Sequence, residues 1–129
     1  MNNDQSKPLH VLIVEDYNLS AQYMSQALKL CDCRSIQIAE SGEQAVEMAR
    51  SQGPFDVVFV DLLMKGMGGI ACISVLKSMR WSGYIVAMSA NEDLRTSAIA
   101  AGADKFLHKL DHPVRDIVAI VNAVKTNKP

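Results

Sequence analysis

The sequence has few cysteines, almost no net charge and no long apolar run, and each absence excludes a class of protein. Its 3 cysteines in 129 residues do not make a disulfide framework, because the number is odd and the chain is not small and loop-rich. With 13 basic and 14 acidic side chains the net charge is -1, which argues against direct electrostatic binding to nucleic acid or to an acidic membrane. No apolar run approaches the roughly 20 residues that span a bilayer. The polar N-terminus lacks the apolar core of a secretion signal, so we expect a cytoplasmic protein.

The composition is that of one packed domain. Hydrophobic residues make up 49% of the chain and charged residues 21%, which is ordinary for a folded domain and wrong for a disordered chain. The length falls within the roughly 100–150 residues of a common single domain. We therefore expect one domain over residues 1–129.

Short apolar runs alternate with helical stripes from one end of the chain to the other. Five such strands, each followed by a helix, form βα units, which build a parallel sheet with helices on both faces. The sheet should be open, because a closed barrel of this type needs eight units. The pattern thus predicts the α/β class. The predicted strands are His10–Val14, Ser35–Ala39, Phe55–Val60, Tyr84–Met88 and Asp104–His108.

Two helix starts carry capping signals. Ser41 and Gln44 form a capping-box pattern, with Ser41 as the N-cap and Gln44 three residues later. Asn91 is a good N-cap for a short fourth helix, which Gly102 closes.

Polar side chains follow four of the five predicted strands. Glu15 and Asp16 follow the first strand, Asp61 the third, Ser89 the fourth and Lys109 the fifth. In a parallel sheet these positions share one rim, where open sheets bind their ligands. If strands 1 and 3 are neighbours, three carboxylates converge in a small volume.

This set of groups is suited to phosphoryl transfer. Clustered carboxylates repel one another unless they share protons or bind a cation, and Mg²⁺ suits a site with a few carboxylates and phosphate oxygens. Lys109 adds a fixed positive charge, and the Ser89 hydroxyl can bond another oxygen. Asp61 would then be the nucleophile that forms an acyl phosphate. Each residue taken alone also fits an ordinary helix cap or a solvated turn.

Four motifs carry a family resemblance over nearly the whole chain. They are VLIVED at 11–16, VFVDLLMKGMGG at 58–69, VAMSA at 86–90 and AGADKFLHK at 101–109. With them the chain resembles a response-regulator receiver domain, the phosphoacceptor of two-component signalling. The resemblance implies a flavodoxin-like open five-stranded parallel sheet in the order 2-1-3-4-5 with five helices, an order known for the family's chemotaxis member. It also implies a single receiver domain with its core at about 10–125.

The resemblance assigns the phosphoryl site residue by residue. Asp61 matches the phosphorylated aspartate, and Glu15 and Asp16 match the acidic pair that holds Mg²⁺ with it. The backbone carbonyl of Leu63 would supply another metal ligand. Lys109 matches the lysine that contacts the phosphoryl group.

The resemblance also assigns the groups that pass the signal on. Ser89 matches the switch hydroxyl, which turns inward to the phosphoryl group, and Phe106 matches the aromatic residue that moves inside with it. Leu63 and Asn91 occupy the two positions that tune how fast water removes the phosphoryl group. Helix 4, strand 5 and helix 5 would form the output face.

The implied partners are a phosphoryl donor and a downstream protein that the sequence does not name. The donor would be a phosphohistidine on a histidine kinase or on a histidine phosphotransfer domain. Such a domain is not an enzyme in the usual sense, because it catalyses only its own phosphorylation and dephosphorylation. Three alternatives stay open: a receiver segment of a longer hybrid kinase or DNA-binding regulator, a pseudo-receiver that binds partners without phosphate, and a hydrolase. The hydrolase is disfavoured because Asp61-Leu62-Leu63 lacks the second acid of the Asp-x-Asp motif of dehalogenase-like phosphatases.

Two positions depart from the family pattern. Leu110 follows Lys109 where the family usually has a cis proline, and we expect a trans bond, because a cis bond before leucine costs roughly 3 kcal/mol. Lys65 also replaces a proline and adds a cation near the site.

Overall fold

The computed structural model describes residues 8–79, 83–111 and 113–126, and strands alternate with helices throughout these ranges. The predicted end of the third helix, at about Arg80, lies outside the described residues. A short 3-10 turn at Glu92–Leu94 precedes the fourth helix. The elements are β1 (Leu9–Val14), α1 (Asn18–Leu28), β2 (Cys33–Ala39), α2 (Gly42–Gln52), β3 (Val57–Asp61), α3 (Gly69–Ser78), β4 (Tyr84–Ser89), α4 (Arg95–Ala101), β5 (Lys105–His108) and α5 (Pro113–Lys125).

The five strands form one parallel sheet in the order β2-β1-β3-β4-β5, which confirms the predicted flavodoxin-like fold. The chain first adds β2 on one side of β1 and then crosses to place β3 on the other side, so strand order reverses beside β1. Val14 pairs with Val60, and Asp61 pairs with Met88. This register brings the carboxyl ends of β1, β3 and β4 to the same rim at the reversal point, where such sheets bind ligands.

The apolar strands are buried because both faces of the sheet are covered by helices. Leu12 and Val14 of β1 pack into a core with α2, α3 and α4, whereas Val11 and Ile13 pack into a second core with α1 and α5. Successive side chains of a strand point to opposite faces, so a strand covered on both sides reads as a continuous apolar run. The strands that end at the rim, β1, β3 and β4, are therefore buried along nearly their whole length.

The helix-start predictions are largely confirmed. The Ser41 hydroxyl accepts the N–H of Gln44 as predicted, but the Gln44 side chain returns to the N–H of Glu40, one residue before the N-cap. Asn91 accepts the N–H of Asp93 and caps the 3-10 turn rather than α4 itself. Gly102 ends α4 at a φ of 123°, a conformation that favours glycine.

The cysteines and the lengths of the helices can also be compared with the sequence. The three thiols, of Cys31, Cys33 and Cys72, are free. Within the described part of the chain, no helix combines the length and the apolar character that crossing a membrane requires.

Candidate functional site

Three carboxylates meet at the rim, as the sequence predicts. Glu15 and Asp16 follow β1 directly, and Asp61 is the last residue of the neighbouring strand β3. One carboxylate oxygen from each residue lies within 4.8 Å of the others. Glu15 is 2% exposed and Asp61 5%, whereas Asp16 is exposed to solvent. Two carboxylates of the cluster are thus buried, and the third, that of Asp16, is open to solvent.

Lys109 reaches the buried side of this cluster from the end of β5. Its Nζ lies 3.1 Å from Glu15 Oε1 and 3.6 Å from Asp61 Oδ1. Its backbone N–H donates to the carbonyl of Ser89 at 3.0 Å, which fixes the start of the β5–α5 loop against β4. The Lys109–Leu110 peptide bond is trans as predicted, since the only cis bond of the described residues precedes Pro54. The lysine therefore reaches the site without the family's cis proline.

The charge on Asp61 is incompletely balanced by this single cation. Burial, together with the hydrogen bond and the negative charge of Glu15, raises the pKa of Asp61 to about 7. The ammonium group of Lys109 and the N–H of Leu63, 3.4 Å from Asp61 Oδ1, both act to lower this pKa. Three carboxylates facing one ammonium group leave a net negative site that favours a further cation.

The donor set fits a hard divalent ion. Carboxylate oxygens are the ligands that Mg²⁺ prefers, and it normally binds through one or two carboxylates while keeping several waters. The exposed side at Asp16 gives such an ion and its waters room to enter. Glu15, Asp16 and Asp61 therefore offer oxygen ligands of the kind that such an ion prefers.

Ser89 lies at the predicted place, at the end of β4. Its side chain is 1% exposed, and its Oγ accepts the N–H of Asn91 at 3.0 Å. The hydroxyl is thereby tied to the turn that leads into α4. The side chain of Asn91 points back to that turn through its bond with Asp93.

Phe106 is inside the molecule in this structure. It is 5% exposed and belongs to the core that contains Ala87 of β4 and Ala98 of α4. The guanidinium carbon of Arg95, the first residue of α4, lies 4.7 Å from the centre of the phenyl ring. Glu92 in turn bonds the Arg95 guanidinium group. The aromatic residue of β5 is thus covered by a cation from α4.

The loop after β3 crosses the open side of the site. Leu63 is 65% exposed, and its side chain carries no polar group. The backbone N–H of Lys65 donates to Asp16 Oδ2 at 3.1 Å, and that of Met67 donates to Glu43 Oε2 at 3.3 Å. The second departure from the family pattern, at Lys65, therefore places an extra hydrogen-bond donor on a cluster carboxylate.

Sequence reasoning missed three contributors to this region. Two of them involve the loop after β3, whose Lys65 amide donates to Asp16 and whose Met67 amide donates to the Glu43 carboxylate. The third is the guanidinium group of Arg95 in α4, which covers Phe106 of β5. The lysine that stands at position 65 in place of the family's proline was a usable signal for the Lys65 contact, because any residue other than proline has a backbone N–H. The sequence pattern gave no signal for the contacts of Arg95 and Glu43.

Comparisons with known proteins agree with this geometry. The family described as "Response regulator receiver domain" matches residues 11–122. A cyclic di-GMP phosphodiesterase of Thermotoga maritima is 37% identical over 101 residues, covering 77% of this chain and 26% of that protein. The nitrate/nitrite response regulator protein NarL of Escherichia coli is 33% identical over 113 residues, covering 84% of this chain and 50% of that protein. The chain thus spans about a quarter and about half of the length of these two curated relatives.

A solved structure extends the likeness to three dimensions. The CheX-CheY-BeF3-Mg+2 complex from Borrelia burgdorferi contains a chain that aligns with a TM-score of 0.80 at 25% identity, covering 95% of this chain and 94% of that chain. Together with the fold and the acidic rim, the family match leads to one conclusion. The chain belongs to the response regulator receiver domain family of two-component signalling. Receiver domains depend on Mg²⁺ as a family and pair with phosphotransfer proteins or other regulators.

Proposed function

We propose that this domain accepts a phosphoryl group on Asp61 and passes the resulting conformational signal to a partner through α4, β5 and α5. The observation that carries the proposal is the convergence of Glu15, Asp16 and Asp61 within 4.8 Å, with the Lys109 ammonium group 3.6 Å from Asp61. The acceptor carboxylate, an acidic pair for a cation and a fixed positive charge are all present on one rim.

The proposed donor is a phosphohistidine of a histidine kinase or a histidine phosphotransfer domain. An Asp61 carboxylate oxygen forms a bond to phosphorus while the P–N bond to the imidazole breaks, and the departing nitrogen keeps that electron pair. The product is an acyl phosphate on Asp61 and an unphosphorylated histidine. Positioning and charge neutralisation carry most of the catalysis in such a transfer.

The residues of the site have distinct roles in this transfer. Lys109 is placed to balance negative charge on the phosphoryl oxygens, because its Nζ already lies beside Asp61. Glu15, Asp16 and Asp61, with the backbone carbonyl of Leu63, would hold Mg²⁺. When bound, Mg²⁺ supplies positive charge that offsets repulsion between the acceptor carboxylate and the incoming phosphoryl group.

The signal would leave the site through Ser89. Its hydroxyl accepts the N–H of Asn91 in this structure. A hydrogen bond from the same hydroxyl to a phosphoryl oxygen would move the Ser89 side chain and so pull on the turn before α4. Phe106 of β5 already packs inside, in the core that contains Ala87 of β4 and Ala98 of α4, under Arg95. Ala98 is the buried residue of α4, so little apolar burial holds this helix, and a shift between two packings is a reasonable response.

Intact-mass analysis after incubation with acetyl phosphate and Mg²⁺ tests the proposal. The parent protein is expected to gain the mass of one phosphoryl group, and the Asp61→Asn variant is expected to gain none. A parent that gains no mass with acetyl phosphate or with any phosphohistidine donor would instead support a pseudo-receiver. Omitting Mg²⁺ in a parallel sample should abolish the gain in the parent.

A further inference from the structure

The loop after β3 presents one backbone donor to the most exposed carboxylate of the site. The N–H of Lys65 lies 3.1 Å from Asp16 Oδ2, although 49 positions separate the two residues. We propose that this amide is a positioning group that holds the Asp16 carboxylate ready for a divalent cation. The inference rests on the proposed magnesium site and adds a residue to it.

Asp16 differs from its two neighbours in how it is held. Glu15 accepts Lys109 Nζ and the N–H of Tyr17 at 3.3 Å, and Asp61 lies beside Lys109 and the N–H of Leu63. Both of those side chains are also buried. Asp16 is exposed, and the Lys65 amide is the hydrogen-bond donor that its carboxylate meets within the described part of the chain.

The donor is itself fixed, so it restrains the carboxylate rather than following it. The N–H of Met67 donates to Glu43 Oε2 at 3.3 Å, and the N–H of Gly69 donates to the carbonyl of Leu62 at 3.2 Å. A Cβ on Gly69 would lie 2.3 Å from the carbonyl oxygen of Asp61, so the loop is packed tightly against the end of β3. Lys65 lies in the segment between Leu62 and Met67, and these two residues are held by the hydrogen bonds just described.

A restraint present before binding strengthens binding, because the ion does not have to order the side chain itself. Hydrogen-bond partners of metal ligands typically change metal affinity by about 10- to 100-fold when they are removed. A single bond to an exposed carboxylate belongs at the lower end of that range. We therefore expect the amide to contribute about tenfold to Mg²⁺ affinity.

Two substitutions at the same position separate the amide from the side chain. Lys65→Pro removes both the N–H and the ammonium group, whereas Lys65→Ala removes only the ammonium group and keeps the N–H. Isothermal titration with MgCl₂ and no phosphoryl donor measures the affinity directly. The proposal predicts about tenfold weaker binding for Lys65→Pro and binding within about twofold of the parent for Lys65→Ala.

Each result of these Mg²⁺ titrations either supports the proposal or overturns it. Equal weakening by both variants would assign the effect to the lysine charge and overturn the proposal, as would unchanged affinity in Lys65→Pro while the parent binds. A parent that binds no Mg²⁺ would remove the proposed metal site and this inference with it. If the parent binds Mg²⁺ but is not phosphorylated, the failure lies in the phosphoacceptor function alone.

Amide hydrogen exchange gives a second readout that does not depend on the folding of the proline variant. In metal-free protein, Asp16→Ala should speed exchange of the Lys65 amide and leave the Met67 amide, which is bonded to Glu43, unchanged. Unchanged exchange at Lys65 would show that the bond contributes nothing in solution and would overturn the proposal.

Discussion

Lys109 Nζ lies 3.1 Å from Glu15 Oε1, and this contact joins the ends of the fifth and first strands across 94 positions. The Glu15 side chain is 1% exposed, so its charge depends on a partner inside the protein. The same ammonium group is the nearest cation to Asp61 among the described residues. One lysine therefore serves both the stability of the rim and the proposed chemistry.

Lys109→Ala should destabilise the metal-free protein at pH 8. Two buried carboxylates would lose their cation, which we expect to lower the free energy of unfolding by roughly 1–3 kcal/mol. Urea denaturation measures the change. Lys105→Ala, at the exposed first residue of β5, is the matched control and should change stability little. Equal losses in the two variants would contradict the assigned role.

Asp61→Asn should stabilise the metal-free protein at high pH. The pKa of Asp61 is about 7 in the folded protein, above its usual 3.8, so the folded state binds this proton more tightly than the unfolded state. The parent therefore loses stability as the pH rises from about 4 through about 7, and the asparagine variant escapes that loss. Above pH 7 the variant should exceed the parent by on the order of 1–2 kcal/mol.

Thermal and urea denaturation between pH 4 and pH 8, without metal, measure this difference. The gap between the Asp61→Asn variant and the parent should shrink as the pH falls toward the ordinary pKa of 3.8, because the unfolded state then also binds the proton that the folded state keeps. Added MgCl₂ at pH 8 should raise the stability of the parent more than that of the variant. A gap that is independent of pH would point to a packing effect instead.

Arg95→Ala should loosen the contact between α4 and β5. Its guanidinium group lies 4.7 Å from the centre of the Phe106 ring, and such contacts contribute about 0.5–1 kcal/mol at exposed sites. A double-mutant cycle with Phe106→Leu isolates that coupling. Arg50→Ala is the control, because Arg50 pairs with Glu47 at the same spacing on a helix. A coupling energy of zero would show that the contact between Arg95 and Phe106 does not hold α4 against β5.

Leu63→Asn should shorten the lifetime of the phosphorylated state. Leu63 stands exposed beside Asp61 and has no group to orient a water, whereas an amide side chain does. Loss of the phosphoryl mass after removal of the donor gives the rate, which we expect to rise about threefold or more. Leu19→Asn, an equally exposed leucine on α1, should leave the rate unchanged. A slower rate in Leu63→Asn would be the wrong sign for this explanation.

The sequence predicted the fold because its signals are local and repeated. The apolar run before Asp61 is buried on both faces, and the capping hydroxyl of Ser41 acts where the pattern placed it. The acidic rim followed from topology, since residues that end neighbouring parallel strands must meet. These features need no knowledge of individual side-chain contacts.

The remaining features arise from contacts between segments distant in sequence. The Lys65 amide reaches Asp16 only because the loop is anchored at Glu43 and at the end of β3. Arg95 meets Phe106 from the first position of α4, which begins directly after the 3-10 turn Glu92–Leu94. Neither the loop path nor the turn type is specified by hydrophobic periodicity.

The proposed function requires the side chain of Asp61 itself to carry the phosphoryl group. Borohydride reduces an aspartyl phosphate to homoserine, so phosphorylation with acetyl phosphate and Mg²⁺, reduction, digestion and peptide mass spectrometry identify the modified residue. We expect homoserine at position 61 and at no other acidic position. Homoserine at Asp16, the five-carbon alcohol 5-hydroxynorvaline at Glu15, or no reduced residue in the chain would contradict the assignment to Asp61.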